Sequence, residues 1–451
     1  MILNPTELRA AFSLAAIYMS RMLGLFMVMP VLAILASQYH DYTPLYMGLA
    51  IGGYGLTQAI LQIPFGMLSD KIGRKPVIIA GLIVFAIGSL LAAQADSMVW
   101  LVVGRVLQGA GAIAGAVMAL AADVTRENQR TKVMAIIGIS IGLSFYLALL
   151  IGPALANSGG LSGIFYLTAG LALIGVLLVV FAVPNAVNIA PMGDILPQTT
   201  QLKHMLFHPQ LAILNVSVCI LHLLITVLFI QLPVLLDAQG LDLAHQWQVY
   251  LPVLSMSLVG LLVLIRMGEH WVKSTLLLSV ILLMCAFCGL WWSHHNDAFS
   301  LFWLIGIGVI FFTGFNYLEA HLPSMVSSIA PAGAKGSAMG IYASSQFFGA
   351  FLGGTLTGLL ASSFSNAVLY TVVIGVCIAW LILLSRLPRQ TRFKRVTLSV
   401  NIAQWSVAEL SDTLRQLDGV VDITIVETEQ AAYLKVDTTH FDLAQAQQAV
   451  Q

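Results

Sequence analysis

Glu319, within Asn316-Tyr-Leu-Glu319-Ala-His321, is the only carboxylate set well inside an apolar run of this chain. Ionisable groups deep in a membrane are costly and usually line a cavity or pair with one another. Burial disfavours the charged form of a carboxyl, so Glu319 reads either as a proton carrier or as one half of a fixed ion pair. Arg21 and Arg105 also lie within apolar runs. A guanidinium keeps its proton in proteins, so each is a counter-ion, a contact for a substrate anion or an anchor to backbone carbonyls. His222, alone in its run, is either a hydrogen-bonded core residue or a titrating site. Tyr54, Gln58 and Gln62 follow at i, i+4 and i+8, one face of a helix, and Tyr342 and Gln346 repeat the spacing. Such stripes line water or bond helix to helix. A pocket of aromatics and amides with few charges suits lipophilic, weakly polar solutes.

Other chemistry is poorly served. Cys219, Cys285, Cys288 and Cys377 all fall inside apolar runs. The Cys285–Cys288 pair has the spacing of a metal or redox motif in a loop, but on an apolar helix it reads as filler. No G-x-x-x-x-G-K-[ST] occurs, so no ATP site is expected. No Ser/His/Asp, dimetal or Cys/His constellation stands at workable positions in the polar parts. An enzyme, a cofactor, a metal and a nucleic-acid partner are therefore not expected.

The elements that must position these groups are long apolar helices. The 451 residues are 59% hydrophobic and 9% charged, with a mean hydropathy of +0.92. Soluble domains carry roughly a quarter charged residues. A span needs about 20 apolar residues, and twelve fit, roughly at 10–36, 46–69, 75–94, 98–122, 131–156, 161–183, 210–236, 247–267, 273–292, 299–328, 336–361 and 366–386. The first run is too long for a signal h-region and is expected to remain as a helix. Loop cations occupy alternate connections: Lys71, Arg74 and Lys75; Arg126, Arg130 and Lys132; Lys203; Arg266 and Lys273; Lys335; then Arg386 onward. The loops around Asp41, Asp96, Gly160, Asp242, Asp297 and Ser363 carry none. Cationic loops stay cytoplasmic, so both termini are expected inside.

The polar segment 184–208, with Pro184, Pro191 and Pro197, divides the spans six and six. Arg130-Thr-Lys-Val-Met-Ala-Ile is echoed by Lys335-Gly-Ser-Ala-Met-Gly-Ile six spans later, as a parallel duplication requires. The organisation expected is two six-helix bundles, 1–185 and 210–388, a cytoplasmic linker 186–209 and a cytosolic domain 393–451. The order β-α-β-β-α predicted for the last is a ferredoxin-like module without its final strand. It resembles the small heavy-metal-associated domains, but Asn401-Ile-Ala-Gln404 stands where their CxxC would be. Thiolate metal delivery is excluded. The basic cluster Arg389, Arg392, Lys394 and Arg395 suits topology setting and lipid headgroup contact.

Gly66-Met-Leu-Ser-Asp70-Lys-Ile-Gly73-Arg74-Lys75 joins the second and third spans. Gly73 is suited to end a helix in a left-handed turn. Asp70 and Asp123 each end a helix where a negative charge opposes the macrodipole, and each needs a partner; Arg74 is a candidate for Asp123. The decapeptide resembles the cytoplasmic loop motif G-x-L-a-D-r-x-G-r-k of the major facilitator superfamily. Gly104-Arg105-Val-Leu-Gln108-Gly109 is similar to its fourth-helix motif, and Gly152-Pro153 to the end of the fifth-helix motif of its drug/proton antiporters. Those antiporters carry more glycines before Gly-Pro, where this chain has Phe145, Tyr146 and Leu147. With the C-terminal module, the chain resembles the YajR-type facilitators of that superfamily. The resemblance implies an all-α secondary transporter of the bacterial inner membrane. It also implies that Asp70 locks against the segment beginning near Lys335-Gly336 and that Arg74 pairs with Asp123, both only when the cytoplasmic faces of the halves meet. For Arg105 it implies a role in proton coupling.

The expected function is proton-coupled export of small lipophilic compounds by alternating access, with protons, a small-molecule substrate and membrane lipid as partners. Uptake, facilitated passage without protons, and a membrane sensor reporting through the tail are the other readings. The tail could bind a ligand or a protein partner.

Overall fold

The computed structural model describes residues 3–126, 129–185, 199–330, 335–388, 393–400, 406–426, 431–437 and 440–449. It divides into a helical unit, 1–386, and a small α/β unit, 387–451. Within the first, the sequence marks its own helix starts. Asn4 and Glu7 form a reciprocal capping box ahead of α1 (Pro5–Leu35). Thr43 with Pro44 opens α2 (Pro44–Ile72), Ser97 opens α4 (Met98–Ala110) and Ser300 opens α10 (Leu301–Ile329). In each the side-chain oxygen takes a backbone N–H of the first turn that has no partner within the helix.

The remaining helices are α3 (Arg74–Ala93), α5 (Ala114–Asp123), α6 (Arg130–Leu177), α7 (Thr199–Leu206), α8 (Pro209–Ala238), α9 (Trp247–His295), α11 (Lys335–Ser363) and α12 (Asn366–Ser385). Eight stretches of the described chain are long and apolar enough to cross a membrane. Sequence and structure differ at three points. The run expected over 98–122 is broken into α4 and α5 at Gly111, which leaves helical geometry (φ −74°, ψ 50°) and lies against the Gly81 carbonyl of α3. α6 and α9 each run through two expected spans, broken at Gly160 (φ 60°) and Trp271 (φ −130°, ψ 57°). The segment read as a polar linker contains a helix, α7; Pro191 and Pro197 lie outside the described residues.

α1–α6 pack mutually, as do α8–α12, and the two groups meet chiefly through α2 on α11 and α1 on α8. The α2–α11 seam is closest at the end near Asp41. A Cβ on Gly48 would fall on the Gly354 carbonyl oxygen, and one on Gly52 on that of Phe351. Gly73 has φ 97° and ψ 153°, a positive φ but not the left-handed helical turn expected from the sequence. At the Gly73 end, opposite Asp41, two lysines do equivalent work. Lys75 donates to the Val183 carbonyl at 2.7 Å and Lys273 to the Ser385 carbonyl at 2.6 Å. Each sits in a loop or first turn and neutralises the negative end of the last helix in its group.

The α/β unit holds β1 (Phe393–Ser399), α13 (Val407–Arg415), β2 (Val420–Val426), β3 (Ala431–Asp437) and α14 (Leu443–Ala449). The antiparallel sheet has the order β1-β3-β2, with Val396 opposite Leu434 and Leu398 opposite Ala432. Period-two alternation puts Leu398, Ala432, Leu434 and Val436 in one core with Leu410, Leu414 and Ala446. Ser406 and Glu409 box the start of α13. The Asn401–Gln404 loop lies outside the described residues.

Candidate functional site

Three groups of polar side chains deserve separate description, beginning with the α2–α3 turn. Arg74 donates from Nη1 to Asp70 at 2.6 Å and from Nε to Asp123 at 3.0 Å, and also meets Ser69 Oγ at 3.0 Å. Ser69 in turn donates to the Gly66 carbonyl at 2.6 Å. One guanidinium thus answers both helix-end carboxylates. The pairing of Arg74 with Asp123 is as expected from the resemblance. All three helix ends belong to the α1–α6 group. Among the described residues Asp70's charged partner is Arg74, and no bond joins it to the start of α11.

The second group is a buried relay inside α1–α6. Arg21 donates from Nη2 to Tyr54 Oη at 2.9 Å and to Gln58 Oε1 at 2.5 Å, and Gln58 donates to Gln62 at 2.8 Å. Along the Tyr54 stripe the side chains are buried and bond to Arg21 of α1 and to one another. Arg105 donates to the Ala50 carbonyl at 2.9 Å and to Gln108 at 2.7 Å, and Gln108 passes on to Ser89 at 2.7 Å. Its guanidinium lies 5.1 Å from the centroid of the Tyr54 ring. Both arginines are 1% exposed and have no carboxylate partner among the described residues. Arg21 Nε and Nη1 and Arg105 Nη2 are left without an acceptor. Gly109 admits this packing, since a Cβ there would strike the Tyr54 carbonyl. Gly152, ahead of Pro153 in α6, rests on the backbone of Met27 in α1.

The third group lies in α8–α12. Gln346 of α11 stands between His222 of α8 and Glu319 of α10, with Nε2 2.7 Å from His222 Nε2 and 3.2 Å from Glu319 Oε1. His222 Nδ1 lies 3.1 Å from the Val218 carbonyl. A carbonyl only accepts, so Nδ1 donates to it, and Nε2 faces the Gln346 amide. Glu319 Oε2 has no hydrogen bond and sits 3.8 Å from His222 Nε2. Its side chain is 38% exposed, so Glu319 is not sealed in apolar packing as its sequence position suggested. Tyr342, one helical turn from Gln346, buries its hydroxyl without a partner. Asn316 donates to Ser257 at 3.3 Å.

Sequence reasoning missed the aromatic cluster between the groups. Phe145 of α6 lies 5.1 Å from Phe26 of α1, 5.7 Å from Phe229 of α8 and 6.1 Å from Phe312 of α10, centroid to centroid. The signal was present in Phe145 itself, a large ring in the helical run before Gly152-Pro153.

The Major Facilitator Superfamily family model matches residues 14–343. The chain belongs to that superfamily. It is 38% identical over 98% of both chains to the inner membrane transport protein YajR of Escherichia coli (strain K12). It is 33% identical, over 78% of this chain and 90% of the other, to an uncharacterized transporter of Buchnera aphidicola subsp. Acyrthosiphon pisum (strain APS). Among solved structures, a bacterial homolog of the human lysosomal transporter Spinster superposes with a TM-score of 0.69 at 15% identity, covering 85% of this chain and 98% of that one. A D-xylose-proton symporter superposes with a TM-score of 0.65 at 13% identity, covering 84% and 97%. The fold is the all-helical one of facilitator-superfamily transporters. The chain is a multi-pass inner-membrane secondary transporter, not an enzyme.

Proposed function

We propose that this facilitator-superfamily transporter exports small lipophilic compounds in exchange for protons, by alternating access between two six-helix bundles. The observation that carries the reading is the His222–Gln346–Glu319 cluster with an unbonded carboxylate oxygen. A proton passed from Glu319 to His222 Nε2 turns the acceptor facing Gln346 into a donor. Gln346 must then turn its amide, because two donors cannot face each other. Proton binding thereby changes the contact between α8, α10 and α11. Export of lipophilic solutes is supported by the aromatic rings around the polar cluster, with Phe315 6.1 Å from the His222 ring.

Twelve spans are supported by the helix pattern. α2 and α11, 29 residues each, join the eight apolar stretches, and the breaks at Gly160 and Trp271 divide α6 and α9. The matched lysine caps at Val183 and Ser385 favour a duplicated plan with bundles 1–185 and 210–388. The cation-bearing loops favour cytoplasmic termini. The sheet order β1-β3-β2 with two helices favours a ferredoxin-like module. Asp70, Arg74 and Asp123 form a preorganised half-latch that the positive N-terminal end of α11 completes when the cytoplasmic ends close. Arg105 holds the α2–α4 contact that the moving bundle must keep.

Compounds that raise the melting temperature of the purified protein identify candidate substrates, since a ligand of the folded form raises apparent stability. The tightest stabiliser is then followed into inside-out vesicles. A pH gradient, acidic inside, should drive its accumulation; equal uptake with and without the gradient would overturn proton exchange.

A further inference from the structure

We propose that the groove between α2, α7 and α11 is a binding site for an anionic phospholipid of the surrounding bilayer. The groove has a volume of about 560 Å³ and is lined by Ile60 and Ile63 of α2, Lys203 and Leu206 of α7, and Ile341 and Phe348 of α11. It begins where the tight glycine contacts of the α2–α11 seam end, on the side toward Asp70. On both helices the inward residues, Gln62 and Gln346, are spent on the polar clusters. The neighbouring positions Ile63 and Ile341 line the groove, which therefore opens along the outer flank of the seam, where bilayer surrounds a spanning helix.

Its chemistry selects the occupant. The walls are mainly aliphatic and aromatic, broken by Ser344 and Ser345, and suited to an acyl chain; the rim formed by α7 carries one cation, Lys203, and among the described residues the lining holds no carboxylate. Leu206 is 49% exposed and the adjoining Phe207 is 73% exposed. A short helix with a lysine beside exposed apolar residues is what an interfacial segment presents to headgroups and chain tops. α2 ends at Ile72, about 13 Å beyond Ile63 at 1.5 Å per residue, so the groove spans the depth between chain tops and the helix end. A chain seated there wedges the seam on the Asp70 side and must leave before α2 and α11 can close. The lipid thus favours the arrangement seen here over the one in which the half-latch is complete.

The full-length protein, purified in mild detergent and exchanged into nanodiscs, is challenged with phosphatidylglycerol and phosphatidylethanolamine, and retained lipid is counted by native mass spectrometry. The wild type should retain phosphatidylglycerol in preference by about fivefold, the scale of one lysine at an anionic surface. Lys203→Glu should abolish the preference, and Ile63→Trp, which fills the groove, should lower retention of both lipids. Lys203→Gln serves where Lys203→Glu fails to fold, with the melting temperature reporting integrity. Equal retention of the two lipids by the wild type, or an unchanged preference in the lysine variants, would overturn the proposal. None of these outcomes depends on whether the protein exchanges protons.

Discussion

Arg74 and Asp123 are joined Nε to Oδ2 at 3.0 Å between the start of α3 and the end of α5, and both side chains are under 10% exposed. The pair is a fixture of one helix group. Removing Asp123 leaves a buried guanidinium answered by Asp70 alone of the two carboxylates. Removing one partner of a buried pair costs about 3–5 kcal/mol. Asp123→Ala is therefore expected to lower stability by about 3 kcal/mol, read from detergent unfolding. Asp70→Asn, at a more exposed carboxylate, should cost less. Equal costs would show that the two carboxylates share the cation evenly.

Asp41 gives a pH signature at the opposite end. It accepts the backbone N–H of Met98 at 2.8 Å and that of Val99 at 3.4 Å, at the N-terminus of α4. The Met98 bond, followed by that to Val99, holds its carboxyl below the ordinary aspartate range despite slight desolvation. Because the folded value is the lower one, the charged form stabilises α4 above the unfolded value, about 4. That stabilisation fades as pH falls through the folded value. The melting temperature of Asp41→Asn should lie below the wild type at neutral pH and converge with it in acid. A difference independent of pH would refute the assignment.

Phe145 ties the two helix groups together through Phe26, Phe229 and Phe312. Aromatic pairs contribute about 0.5–1.5 kcal/mol each beyond their burial. Phe145→Gly should destabilise the protein by about 2 kcal/mol or more. It should also raise the labelling rate of a cysteine placed at Tyr146 by a water-soluble maleimide. Unchanged labelling would mean that the cluster does not close the passage.

What could be read from the sequence follows the range of the forces involved. The apolar runs depend on local periodicity, and eight stretches of the described chain are long and apolar enough to cross a membrane; the breaks at Gly160 and Trp271 fall between runs the sequence separates, while the one at Gly111 falls inside a run. The Arg74–Asp123 pair was legible because two helix-end charges had to be answered by a nearby cation. The bonding between Gln346 and His222 was not, since 124 residues separate them and no local pattern couples α8 to α11. Lys75 and Lys273 read as orienting charges, yet they also cap helix ends by bonds that only the packed structure reveals. α7 was hidden among polar and proline-rich neighbours because eight residues give too short a period to stand out.

The central claim is that Glu319 exchanges a proton as α8, α10 and α11 rearrange. The most direct measurement is proton movement itself: a pH-sensitive dye in proteoliposomes bearing wild type or Glu319→Gln, given the stabilising compound as counter-substrate. The wild type should move protons against the compound's flow, while Glu319→Gln binds the compound but moves none. Proton movement by Glu319→Gln equal to the wild type would contradict the account.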